Sequence, residues 1–181
     1  MKRALVPLVT LLASLLVPIA VAGPASAQCA PDGPKVIYKI SDKNFVYYPT
    51  NVHSDWASWP RGGTITYQQT KTMEANASVT ATVSAEAGAI FASASVSAGV
   101  TVGGSYSQSK TWSYSANVPA DKDHKYRLHA YHYALNFKVT KYQWVGGSTC
   151  DYKVAAHYPQ RVHHAPAKSA NNIWKLDKRA A

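Results

Sequence analysis

Seven histidines, nine acidic side chains and a Ser107-Gln-Ser-Lys110 quartet are the groups in this chain that could do chemistry. Their spacing argues against it. No HExxH and no Cys/His cluster with zinc spacing occurs. His129 and His132 differ in strand parity, and His163-His164 lies in a stretch flanked by Pro159 and Pro166. A Ser-x-x-Lys nucleophile needs a helix and companion Ser-Asp-Asn and Lys-Thr-Gly elements. Lys110-Thr-Trp112 fails the last of these, and the segment reads as strand. The acids are few, with Asp121 and Asp123 sharing one apparent turn. Gly62-Gly63, Gly103-Gly104 and Gly146-Gly147 read as turns or bulges rather than phosphate cradles. No catalytic residue, metal or cofactor is expected, and the chain is not expected to be an enzyme.

Binding chemistry is better represented. Asp55-Trp-Ala-Ser-Trp-Pro-Arg61 sets Trp56 and Trp59 beside Arg61, which suits ring stacking on a sugar or anchoring in a lipid headgroup zone. Lys125 and Arg127 belong to a basic, aromatic run at 124–145. With Lys122, Lys138, Lys141, Arg161 and the Lys175–Arg179 stretch they make up nine of the 19 Lys and Arg residues. Such a load is by default a solvated face; its functional reading is contact with a membrane or an anionic cell surface. A glycan receptor is a further candidate partner. No specific nucleic-acid site is expected.

These groups need a frame, and the chain ends help to define it. Residues 1–27 read as a secretory signal peptide, with Lys2-Arg3, an apolar run from Ala4 to Ala22 and an Ala25-Ser26-Ala27 cleavage site. The expected location is secreted and extracellular, and 28–181 is expected to form a single all-β domain. Cys29 and Cys150, the two cysteines, should then pair. Closing a loop of about 120 residues is credited with ~4–5 kcal/mol in the loop-entropy model. Period-two patterns dominate the rest of the chain. Strand-like runs stand at Val36–Ile40 and Asn44–Tyr48, while 151–181 reads as a polar, loop-like tail.

The tract from 64 to 118 carries the most information. From Ala77 to Ala89 every odd position is apolar, including Val79 and Val83; from Ala92 the even positions are, including Val96, Val100 and Val102. A phase flip within one strand would bury half of it and expose the other half. An antiparallel hairpin removes the conflict, because facing residues share a side of the sheet and their numbers add to a constant. A turn at Ile90-Phe91 sets that constant at 181, so Tyr67 faces Tyr114, Ile65 faces Ala116, Gln69 faces Trp112 and Lys71 faces Lys110. Soluble two-residue turns favour Asn, Asp and Gly, whereas this tip offers two bulky apolar side chains. Between Ala75 and Ser109 the only charge is Glu86, on the polar face.

Membrane β-strands need about 9–11 residues that alternate between lipid and lumen. Val79–Ala89 and Ala92–Val102 meet that length at 11 residues each. Backbone groups in lipid must all be paired, so several copies would have to close a barrel. Val79, Val83, Ile90, Phe91, Val96, Val100 and Val102 would then form the insertion hairpin, with Glu86 facing the lumen. The same alternation also describes a soluble sheet with one wet face. An Ala-rich helix across Ala85–Ala98 is a third reading, disfavoured by β-branched residues and by Gly88 and Gly99.

An amphipathic hairpin rich in Ser and Thr, then Thr-Trp-Ser-Tyr-Ser-Ala-Asn-Val-Pro-Ala at Thr111–Ala120, then an aromatic, basic strand, resembles the pore-forming module of the aerolysin family, closest to its epsilon-toxin and mosquitocidal-toxin branch. The resemblance covers about 64–145. It implies an elongated antiparallel sheet or sandwich, Ala77–Val102 as the insertion hairpin, a strand end at Val118-Pro119, and homo-oligomeric β-barrel pore formation. The chain leaves little room for the separate receptor-binding domain those toxins carry. The alternative function is a soluble extracellular module that binds a glycan or polymer through Trp56, Trp59 and the basic aromatic strand, without pore activity.

Overall fold

Twenty-five consecutive residues, Asp121–Val145, form the strand against which the rest of the chain is laid. The computed structural model describes residues 29–78, 85–147 and 150–181, with the backbone alone for 157–163. In chain order the elements are β1 (Val36–His53), β2 (Ala57–Trp59), β3 (Gly63–Asn76), α1 (Ala87–Ala98), β4 (Ser105–Val118), β5 (Asp121–Val145), β6 (Asp151–Pro166) and β7 (Asn172–Ala180). The fold is all-β with antiparallel sheets and one helix among the described residues. The expected signal segment 1–27, and Val79 and Val83 of the expected hairpin, lie outside the described residues.

Strand β5 is paired along both edges. On one edge β1 covers residues 129–143 and β2 covers 121–126. On the other, β7 covers 124–132 and β6 covers 134–145. The result is a narrow, very long sheet rather than a broad one. The two runs expected in the first strand are a single strand, with irregularities between Ser41 and Asn44 and between Pro49 and His53. Asp42, at φ 50, absorbs the first of these.

The expectation of a loop-like tail is corrected: 151–166 and 172–180 are the edge strands β6 and β7. Their polar text misleads because an edge strand has one wet face and few neighbours. The described apolar residues that reach the cores are few: Ala165 of β6, and Trp174 and Leu176 of β7.

Strands β3 and β4 form a separate two-stranded sheet, packed against the even-numbered positions of β5. Ile65, Tyr67, Met73, Trp112 and Val118 close over Tyr126, Leu128 and Ala130, with Tyr106 stacked on buried His132 at 4.0 Å. A second core lies on the odd-numbered positions Leu135, Phe137 and Val139, under α1. Side chains alternate along a strand, so the two cores occupy opposite faces of β5. The Cys29–Cys150 disulfide is present, and it fixes residue 29 beside the β5–β6 connection, with Trp144 Nε1 donating to Cys29 O at 3.2 Å.

Candidate functional site

Every facing pair from Gly63–Val118 to Asn76–Ser105 adds to 181, the register expected for the hairpin, including Tyr67 opposite Tyr114 and Lys71 opposite Lys110. Lys71 is not left facing a like charge: its Nζ donates to Asn51 O, while Lys110 lies 4.2 Å over the Trp112 ring. The outward face is a hydroxyl ladder, with Thr64–Asn117 at 3.1 Å, Thr66–Ser115 at 2.9 Å and Thr70–Thr111 at 2.8 Å.

One further bond, Ala77 N to Gly104 O at 2.8 Å, keeps the same register. There the strands part. Ser78 N donates to His164 O and Gly103 N to Pro166 O, each at 3.0 Å, and Val102 bridges Ala167. The two arms are thus taken over by the end of β6, and the helical residues between them pack on the opposite face of β5.

The expected strand pair across 77–102 is corrected here, because Ala87–Ala98 is helical. Ile90-Phe91 is not a turn: Ile90 is buried in the helix and Phe91 is partly buried beside it. The cause is local and tertiary together. Alanine is the strongest helix former, and Ala87, Ile90, Phe91, Ala94 and Ala98 fall on one stripe at helical spacing. Gly99, which seemed to disfavour a helix, ends it instead. It sits in the left-handed region at φ 69 with its N–H on Ser95 O, where a side chain would be strained.

Four attachments hold this segment. Ile90 and Ala94 pack on Leu135, Phe137 and Val139. Lys141 Nζ lies 2.5 Å from Glu86 Oε1, and that contact raises the lysine pKa. Lys43 Nζ donates to Ser97 O at 2.6 Å. Ser95 Oγ accepts Val102 N–H at 3.0 Å and donates to Phe91 O at 2.8 Å, tying the helix to its exit strand. Glu86, expected to face a lumen, is therefore a tether in this state. Val96 points away from all of it and is 87 % exposed. Val100 is partly buried, and Val102 is buried.

The expected surface residues separate. A register shift between Ser58 and Trp59 turns Trp59 toward the core under the hairpin. It packs there on Gly63, where a Cβ would lie 2.7 Å from the ring. Arg61 is exposed on the turn that follows. Trp56 does join Arg127, whose Cζ lies 4.5 Å over the indole, and Lys125 faces Arg179 across β5 and β7. Arg179 closes on the same indole at 4.6 Å. It was counted only among the basic charge of the tail, because nothing in the text announced that the tail returns as a strand beside Trp56.

Beneath this face, Asp177 gathers three groups. Tyr131 Oη donates to it at 2.7 Å, His129 Nδ1 lies at 2.7 Å and Arg127 Nε at 3.3 Å. His129 Nε2 is 2.7 Å from Thr50 O, which can only accept, so that nitrogen donates. Burial by itself would raise the Asp177 pKa, but the hydrogen bonds and nearby positive charge hold it below the ordinary carboxylate value. Tyr131 is pushed up to about 12, by burial first and by Asp177 second. This is a structural knot of β1, β5 and β7. Among the described residues no group of three or more His, Cys, Asp or Glu is placed to hold a metal ion.

No protein-family model matches the chain, nor does any curated protein or solved structure.

Proposed function

We propose that the protein is membrane-active and stores its insertion hairpin half closed. Residues 63–77 and 104–118 are already paired, and Ala87–Ala98 lies on the opposite face of the sheet as α1. On release, the segment continues the same register. The single observation that carries this reading is the coincidence of register: the 181 pairing extends to Ala77–Gly104, and continued inward it places every apolar odd residue of 77–89 opposite an apolar even residue of 92–104 or a glycine. A helix alone needs no such match between its two halves. The hydroxyl face of the paired part would continue into the lumen-facing Ser, Thr and Glu86. Closing the backbone in lipid requires a homo-oligomeric barrel, in line with the resemblance to aerolysin-type toxins.

Val96 tests the proposal cleanly, because it is exposed in the folded state and lipid-facing in the extended one. Val96→Lys should change folding stability by no more than about 0.5 kcal/mol, yet cost about 2–4 kcal/mol per subunit on a lipid face. Dye release from liposomes should be lost while the melting temperature is retained. Leakage equal to that of the parent would remove 77–102 from the membrane element.

A further inference from the structure

The face of the sheet opposite the β3–β4 hairpin carries a cationic cluster around Trp56 that the insertion segment does not include. Its residues are the odd-numbered positions of β5 and β7: Lys125 opposite Arg179, Arg127 opposite Asp177 and His129 opposite Lys175. Trp56 packs against two guanidinium groups, Arg127 at 4.5 Å and Arg179 at 4.6 Å. The two arginines are not equivalent. Arg127 is largely buried and spends its Nε on Asp177, so it serves to hold the indole in place. Arg179 is exposed on the last strand. Among the described residues no carboxylate lies within ion-pair distance of Arg179, Lys125 or Lys175. Asp177 cannot neutralise them, since its oxygens are taken by Tyr131, His129 and Arg127. Asp55, next to Trp56 in the chain, and Asp123, two residues before Lys125, are both exposed and neither pairs with these three cations.

We propose that this face is where the protein first contacts a membrane, with Arg179, Lys125 and Lys175 binding the phosphates of an anionic phospholipid bilayer and Trp56 seated among the headgroups. The chemistry matches one occupant. A guanidinium stacked on an indole keeps its N–H edge free and pre-oriented, so little side-chain entropy is lost when the edge meets a phosphate. Trp suits the zone between water and acyl chains, and cationic side chains there gain free energy from the negative surface potential. The inference concerns adsorption and stands whether or not 77–102 inserts.

The test is co-sedimentation of the purified protein with phosphatidylglycerol and with phosphatidylcholine vesicles at low and high salt. The parent should bind the anionic vesicles selectively and lose that binding as salt rises. Arg179→Glu should weaken the anionic partition at least about five-fold, the factor expected for one cation near the surface. Lys153→Glu makes the same charge change at an exposed site facing Gln143, near the far end of β5, and should leave binding close to the parent. Val96→Lys should adsorb like the parent even if leakage is lost, which separates adsorption from insertion. Equal binding to both vesicle types, or equal loss in the Arg179 and Lys153 variants, would overturn the site. So would retention on a sulfated polymer that depends on Arg179 while anionic vesicles fail to bind.

Discussion

Asp177 shows how one side chain can join three strands. It receives Tyr131, His129 and Arg127 from β5, and His129 in turn reaches Thr50 of β1. Removing its charge leaves buried donors facing a weaker acceptor. Asp177→Asn should cost about 2–4 kcal/mol in urea unfolding. The pH dependence has a definite sign. A carboxylate whose folded pKa lies below its unfolded value contributes stability that is fully present above the unfolded value and is lost on acidification. Parent stability should therefore fall as pH drops below 3.8, and the Asn variant should show less of that fall. Asp121, held at about 2 chiefly by the Tyr126 hydroxyl and the Asp123 N–H, adds to the same acid limb in both proteins. An unchanged acid slope in the variant would take Asp177 out of the account. None of this knot was legible in the sequence, because Asp177 and His129 are 48 residues apart and only the pairing of β5 with β7 brings them together.

At the scale of elements, the legible and the illegible adjoin within a single tract. The 63–118 pairing could be read because Thr, Tyr, Gln and Ser alternate along arms long enough to fix parity, and a one-residue slip would have put Ile65 and Tyr67 on the opposite face from Trp112 and Val118. The helix could not be read in the same way. Alanine and serine satisfy period two and period 3.6 almost equally, so the choice passes to whatever surface the segment meets. Here that surface is Leu135, Phe137 and Val139, over 30 residues further along the chain. This ambivalence is what a segment with two structures would require. It also makes the tethers the control points. Glu86→Gln, which removes the ion pair with Lys141, should speed proteolytic cleavage between 85 and 101 while leaving the β3–β4 strands protected. Unchanged cleavage would show that packing alone holds the helix.

The described molecule is a long sheet organised by one strand, with α1 on one face of β5 and the paired strands β3 and β4 on the other. Its all-β class and its disulfide were readable from alternation and from the two cysteines, whereas the return of 151–180 as both outer strands was not. The bridge joins residue 29 to the connection after β5 and touches none of the four attachments of α1. Reduction should lower global stability by about 4–5 kcal/mol at most, read as a shift in urea midpoint. It should leave the helix tethers intact until global unfolding. Early, selective exposure of α1 on reduction would contradict that separation.

In the proposed membrane state the register of the paired strands continues through 77–104. Ala85 and Val96 are both exposed in the folded protein, and their numbers add to 181. Along a helix their separation is roughly 16 Å, while facing residues of a hairpin sit about 5 Å apart. Spin labels at 85 and 96, on protein with Cys29–Cys150 intact, measure this directly. The expected result is a long distance in solution that collapses to the short one on liposomes, in step with dye release. Leakage with the long distance retained would contradict the account.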